Sequence, residues 1–205
     1  MEFVTPQKND APCEAPVAPH QVAAAVSALL DAGTALLCLD FDQTIVSVHT
    51  GGYWTNTSQE LATHIRPVFT LLIPEAFKQG LKVAITTFSS QPDMIRAALA
   101  HAIPKDVVDA IVIRGEDGSW TCPQGISDTN GKLPHMASAG LAMGVMTAGE
   151  GLVIQMRSNR LVLVDDDSDN YDNAREHGVS AVLFQCNLGG TGGEMEMIND
   201  MRSME

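Results

Sequence analysis

Basic residues are scarce in this chain: 12 Lys and Arg stand against 25 Asp and Glu, a formal net charge of −13 over 205 residues. A surface of that sign repels polyphosphate backbones and anionic membranes, so neither nucleic acid nor membrane is expected as a partner. Long hydrophobic runs are missing too. "LVLV" and "AVLF" fall far short of the roughly 20 residues of a membrane span, and the N-terminus lacks the basic-then-apolar order of a secretory signal. A soluble, cytoplasmic protein is the expectation. Cysteine is sparse and scattered: Cys13, Cys38, Cys122 and Cys186 form no C-x-x-C pair, and Cys38 and Cys186 sit in or beside apolar runs where a thiol acts as a small hydrophobe. Neither a zinc site nor a disulfide framework is expected.

What the chain does contain is 45% hydrophobic residues, enough to bury a core at this length. Residues 1–19 carry Pro6, Pro12, Pro16 and Pro19 among small and polar residues and read as a loose tail, leaving 20–205 as a single domain. "HQVAAAVSALLDAG" has helical spacing and ends at Gly33. After it, strand-length apolar runs alternate with helical stretches. The strands are "ALLCLD", "KVAITT", "DAIVIR", "RLVLVD" and "SAVLF". Between them lie a helical stretch from Ser58 to Gly80 interrupted at Pro67 and Pro74, helices at "PDMIRAALAHA", from about Pro134, and at "SDNYDNAREHG", and a Gly-rich loop from Gly115 to Gly131. Strands apolar on both faces belong to a parallel sheet with helices on each side, so the fold expected is a Rossmann-like, three-layer, doubly wound α/β sheet. The Met-rich C-terminal stretch reads as a packed terminal helix.

In doubly wound sheets ligands bind beyond the carboxyl ends of the strands. There the first strand places Asp40 and Asp42, two residues apart and able to face one pocket while the chain stays extended. Like charges that close need a cation or a shared proton. The fourth strand adds Asp165 and Asp166. Oxygen ligands around a cavity suit magnesium, which keeps several waters and accepts one or two carboxylates together with a phosphate oxygen.

Four short segments then carry a resemblance. "LDFDQTI" resembles the first motif of the haloacid dehalogenase-like (HAD) superfamily, Asp-x-Asp-x-Thr after a hydrophobic strand, with Thr44 as its Thr. "KVAITTF" is similar to the second, ending in a phosphate-binding Thr placed at Thr87, with Thr86 as its neighbouring alternative. "NGKLP" supplies Lys132 for the third, and "LVLVDDDSDN" resembles the fourth with Asp165, Asp166 and Asn170. The motifs occur in the family's order over roughly residues 35–185. Gln43 stands where many members have Gly, and Phe88 where Asn is frequent.

The resemblance implies a magnesium-dependent phosphatase that hydrolyses a phosphate monoester through an aspartyl phosphate on Asp40. Asp42 would be general acid and then base, the residue that separates phosphoryl transfer from the family's other reactions. Thr87 and Lys132 would hold phosphoryl oxygens, and Lys132 would damp the charge of Asp40. Magnesium would be bound by Asp40, Asp166 and the backbone carbonyl of Asp42, with Thr44, Asp165 and Asn170 in support. Two other readings stay open, a non-catalytic module binding metal or phosphate and a phosphotransferase. The spacing leaves room after the first strand for only a small flap, so no large cap domain is expected; an open site suits a phosphoprotein or another bulky phosphate ester, or closure by a second subunit. Asp167 and Ser168 read as helix caps. His49, near the Gly51–Gly52 turn, reads as exposed and is left outside the site. The loop holding Trp120 is either a recognition loop or an idle hairpin.

Overall fold

The computed structural model describes residues 16–158, 160–185 and 193–204. The expected tail thus falls mainly on residues outside those described, as do Cys13 and Cys186.

Five strands, β1 (Leu36–Leu39), β2 (Lys82–Thr86), β3 (Val112–Arg114), β4 (Leu161–Asp165) and β5 (Ser180–Leu183), form one sheet in the order β3-β2-β1-β4-β5. Every pairing is parallel, and Leu36 sits opposite both Lys82 and Leu161. Because alternate residues point to opposite faces, each strand feeds two cores. Leu37, Leu39, Ile85 and Val164 face one core, built with α1 (Pro19–Asp31), α3 (Pro67–Gln79), α4 (Pro92–Leu99), α5 (Lys105–Ala110) and α9 (Glu194–Arg202). Leu36, Cys38, Ala84 and Leu163 face the other, with α6 (Leu133–Ala142), α7 (Leu152–Ser158) and α8 (Ser168–Glu176). Two-sided burial is why the strands read as unbroken apolar runs, and it makes the sheet the middle of three layers.

The chain winds outward from β1 to β3, crosses through α6 and α7 to β4, and continues to β5 on the other side. The order therefore reverses between β1 and β4, and a crevice opens at the carboxyl ends of those two strands. Between β1 and β2 lie a flap at 46–57, α2 (Ser58–Ala62) and α3. Among the described residues no large cap domain covers the crevice, and no helix is long and apolar enough to cross a membrane.

Three local readings change. The helical stretch is interrupted before Pro67, as expected, where that residue starts α3 and its missing N–H is unneeded, but it is not interrupted at Pro74, which lies inside α3. "DAIVIR" is a strand only from Val112; Asp109 and Ala110 close α5, a helix whose Val107 and Val108 are buried in the core. Helix α7 was not expected at all, and it buries Leu152 and Met156. At Pro74 and in α5, burial against the sheet overrides a proline signal and a β-branched one.

Candidate active site

Asp40 extends the ladder beyond β1, its N–H donating to the Val164 carbonyl at 2.8 Å. The chain then makes a wide turn through Phe41–Ile45, closed by the Val46 N–H on the Phe41 carbonyl at 3.0 Å. Gln43 takes φ 58 there, the left-handed region that favours glycine, which accounts physically for the Gly common at this place in the motif. Thr44 turns back to β4: its Oγ1 donates to Asp166 Oδ1 at 3.0 Å and accepts the Asp166 N–H at 3.1 Å. The turn and the end of β4 are thereby tied together.

Lys132, at the entrance to α6, is only 2% exposed. Its Nζ donates to Asp40 Oδ1 at 2.6 Å and to the Thr86 carbonyl at 2.9 Å, and lies 4.1 Å from the centre of the Phe88 ring. One ammonium faces three carboxylates, because oxygens of Asp40, Asp165 and Asp166 lie within 4.8 Å of one another. Burial pushes Asp40 up to about 6 against the pull of Lys132, and burial reinforced by the Asp40 charge pushes Asp165 up to about 7. Asp166 is raised as well, chiefly by burial.

Asp165 is oriented by its surroundings. Its Oδ1 accepts the Asp167 N–H at 3.0 Å and the Asn170 Nδ2–H at 3.3 Å, while its Oδ2 is buried with no hydrogen-bond partner among the described residues. A buried carboxylate oxygen without a donor, in a cluster short of positive charge, is the arrangement a divalent cation satisfies. The donor set is all oxygen, which fits a hard ion such as magnesium.

These groups line a cavity of about 360 Å³ together with Asp42, His49, Thr87 and Phe88. Of the two threonines at the end of β2, Thr87 lines the cavity, its Oγ1 accepting the Ser89 N–H at 3.1 Å, whereas the Thr86 hydroxyl is buried without a partner among the described residues. Asp42 is held from the flap: Thr50 N–H reaches Oδ1 at 3.2 Å and Thr50 Oγ1 donates to Oδ2 at 2.8 Å. The sequence therefore brings Asp40, Asp42, Thr44, Thr87, Lys132, Asp165, Asp166 and Asn170 to one end of the sheet.

Two residues were passed over. His49 is largely exposed, as read, yet its Nδ1 lies 3.4 Å from Asp42 Oδ2 and it lines the cavity. Thr50 was not singled out. Their signal was the Gly51–Gly52 pair at φ 66 and φ 80, a tight turn that folds the preceding residues back over Asp42. Beside the site, His135 lies buried between the rings of Phe88 and Trp120, at centroid distances of 5.3 Å and 4.7 Å. Burial, with help from Lys132, holds its imidazole down to about 4 and therefore neutral. The Trp120 loop is folded against the domain, with Nε1–H on the Gly115 carbonyl at 2.6 Å.

Compared with known proteins, the chain matches no family profile and no curated protein sequence. Among solved structures it is similar to the HAD domain of the effector protein Lem4 from Legionella pneumophila, at 13% identity and a TM-score of 0.47 over 82% of this chain and 93% of that one. An inactive mutant of the same domain aligns at 12% identity and a TM-score of 0.43, over 83% and 95% of the two chains.

Proposed function

We propose that the chain is a HAD-like, magnesium-dependent phosphatase that hydrolyses a phosphate monoester through an aspartyl phosphate on Asp40. The observation that carries this reading is the contrast between two carboxylates in one cavity: Asp40 is buried against the Lys132 ammonium at 2.6 Å, and Asp42 is held from the flap by the Thr50 N–H and hydroxyl, with His49 Nδ1 3.4 Å away. That contrast supports a nucleophile's role for the first and a proton carrier's role for the second.

An Asp40 carboxylate oxygen attacks phosphorus, forming the O–P bond as the ester P–O bond breaks, and the departing oxygen takes the proton of Asp42. A water oxygen then attacks the phosphorus while Asp42 takes up the water's proton. The Asp40 O–P bond breaks, freeing inorganic phosphate and restoring Asp40. Thr87 and Lys132 orient phosphoryl oxygens, and Lys132 keeps Asp40 in its anionic form. Asp40, Asp166 and the Asp42 backbone carbonyl, with Asp165 beside them, would hold magnesium, which when bound neutralises phosphate charge.

The open crevice favours a phosphoprotein or another bulky phosphate ester, and the acidic surface disfavours nucleic acid. Release of free phosphate from a panel of aryl and alkyl phosphates and phosphopeptides, with and without magnesium and with no added acceptor, tests the reading. No release from any ester in magnesium would overturn it and leave a binding module or a transferase. Asp42→Asn should cost about 10²–10⁴-fold in rate, less on aryl than on alkyl esters.

A further inference from the structure

The flap that holds Asp42 is itself held from outside. Its tip is two glycines and an exposed tyrosine, Tyr53 at 63% exposure, with no buried side chain of its own at the turn. Such a tip is by composition the loosest part of a loop. Yet the Gly52 carbonyl accepts Ser89 Oγ–H and Ser90 N–H, both at 3.1 Å, and two residues on the Trp54 N–H donates to Gln91 Oε1 at 2.6 Å. The Gly52 N–H in turn supports Thr50 Oγ1 at 3.3 Å, the hydroxyl that donates to Asp42.

The receiving loop is densely hydrogen-bonded. Ser89 is 4% exposed, its N–H bonds Thr87 Oγ1, its hydroxyl accepts the Gln91 N–H at 3.2 Å, and its carbonyl accepts the Glu116 N–H at 2.9 Å. Gly115 approaches so closely that a Cβ there would lie 2.4 Å from the Ser89 carbonyl oxygen. The loop that presents Thr87 to the cavity is therefore the same one that fastens the flap.

Resting on the phosphatase reading above, we infer that Ser89 and Gln91 are positioning residues for the general acid: they latch the flap to the phosphate-binding loop, and through Gly52 and Thr50 they fix the Asp42 carboxylate. Neither residue touches the reacting atoms. Their contribution is to proton transfer, so it scales with how much the leaving oxygen needs a proton.

The test uses Gln91→Ala, which removes the acceptor of the Trp54 N–H at a half-buried helix start, and Gln91→Glu, which retains one. Hydrogen exchange over residues 49–57 and turnover of an aryl and an alkyl phosphate are measured in magnesium. Gln91→Ala is expected to speed exchange of the Trp54 amide at least about tenfold and to lower alkyl ester turnover about tenfold more than aryl turnover, a part of the 10²–10⁴ that a positioned proton donor supplies. Gln91→Glu should restore both. Equal losses on the two esters, or flap exchange unchanged by Gln91→Ala, would overturn the inference. If the unaltered protein cleaves no ester, phosphopeptides included, the phosphatase reading is what fails, and amide exchange then decides the latch alone: an unprotected Trp54 amide in the unaltered protein rules it out.

Discussion

Replacing Lys132 with Met removes the ammonium in contact with Asp40 and keeps most of the side chain's volume. Lys132 is 2% exposed and Asp40 is 5% exposed, so the charge left behind is only thinly solvated from the cavity it lines. Stripping one partner from a buried ion pair costs about 3–5 kcal/mol. The carboxylate can escape that cost by taking a proton. Asp40 is already raised to about 6 with Lys132 in place, and loss of the lysine's attraction and hydrogen bond moves it higher. A carboxyl raised in the folded state stabilises the fold below its unfolded value, and that stabilisation fades as pH rises through the folded value. At about pH 5 the variant's Asp40 is neutral, and only hydrogen bonds and packing are lost, about 1–2 kcal/mol. At about pH 8 the full penalty applies. For a chain of this size each kcal/mol moves the melting temperature by about 2–4 °C, so the variant should melt about 6–20 °C below the unaltered protein at pH 8 and about 2–8 °C below it at pH 5. Thermal melts followed by circular dichroism, in chelator at both pH values, give the comparison. An equal deficit at both pH values would refute the account of Asp40 and Lys132 as a buried pair whose cost is relieved by protonation.

Asp40→Asn should abolish turnover and, in a fluoride-trapping experiment, capture of aluminium or beryllium fluoride, with phosphate release as the readout of activity. Magnesium at about 100 times its dissociation constant should stabilise the fold by about 2.7 kcal/mol, seen as a rise in melting temperature of about 5–11 °C that chelator reverses. That rise should shrink as pH falls through the raised values of Asp40 and Asp165, about 6 and 7, because protons then compete for the same oxygens. Gly115→Ala would push a methyl against the Ser89 carbonyl oxygen and should destabilise by about 1–3 kcal/mol, read from chemical denaturation.

The sheet was legible because burial on both faces writes itself into the strands: β1, β2, β4 and β5 are runs that only a helix-covered parallel sheet explains. The site was legible because its carboxylates fall directly after two of those runs. Helix α5 was not, since Val107, Val108, Ile111, Val112 and Ile113 form one β-branched stretch in which nothing local marks where helix gives way to strand. The latch was not legible for another reason. Gly52, Ser89 and Gln91 are ordinary turn and loop residues, and their meaning lies in contacts between segments 37 residues apart, as from Trp54 to Gln91.

The central position of β1 also sets the timing of assembly. Its partner β2 follows soon after in the chain, but its other neighbour, β4, begins only at Leu161. A chain leaving the ribosome therefore carries its most apolar strand with one side unpaired until β4 has been made, and pairings between such distant segments form slowly. Asp166 and Thr44 meet only when that second seam closes. Until then Asp40 lacks the neighbouring carboxylates of Asp165 and Asp166, so the acidic cluster comes together only with the second seam of the sheet and reports that this seam has closed.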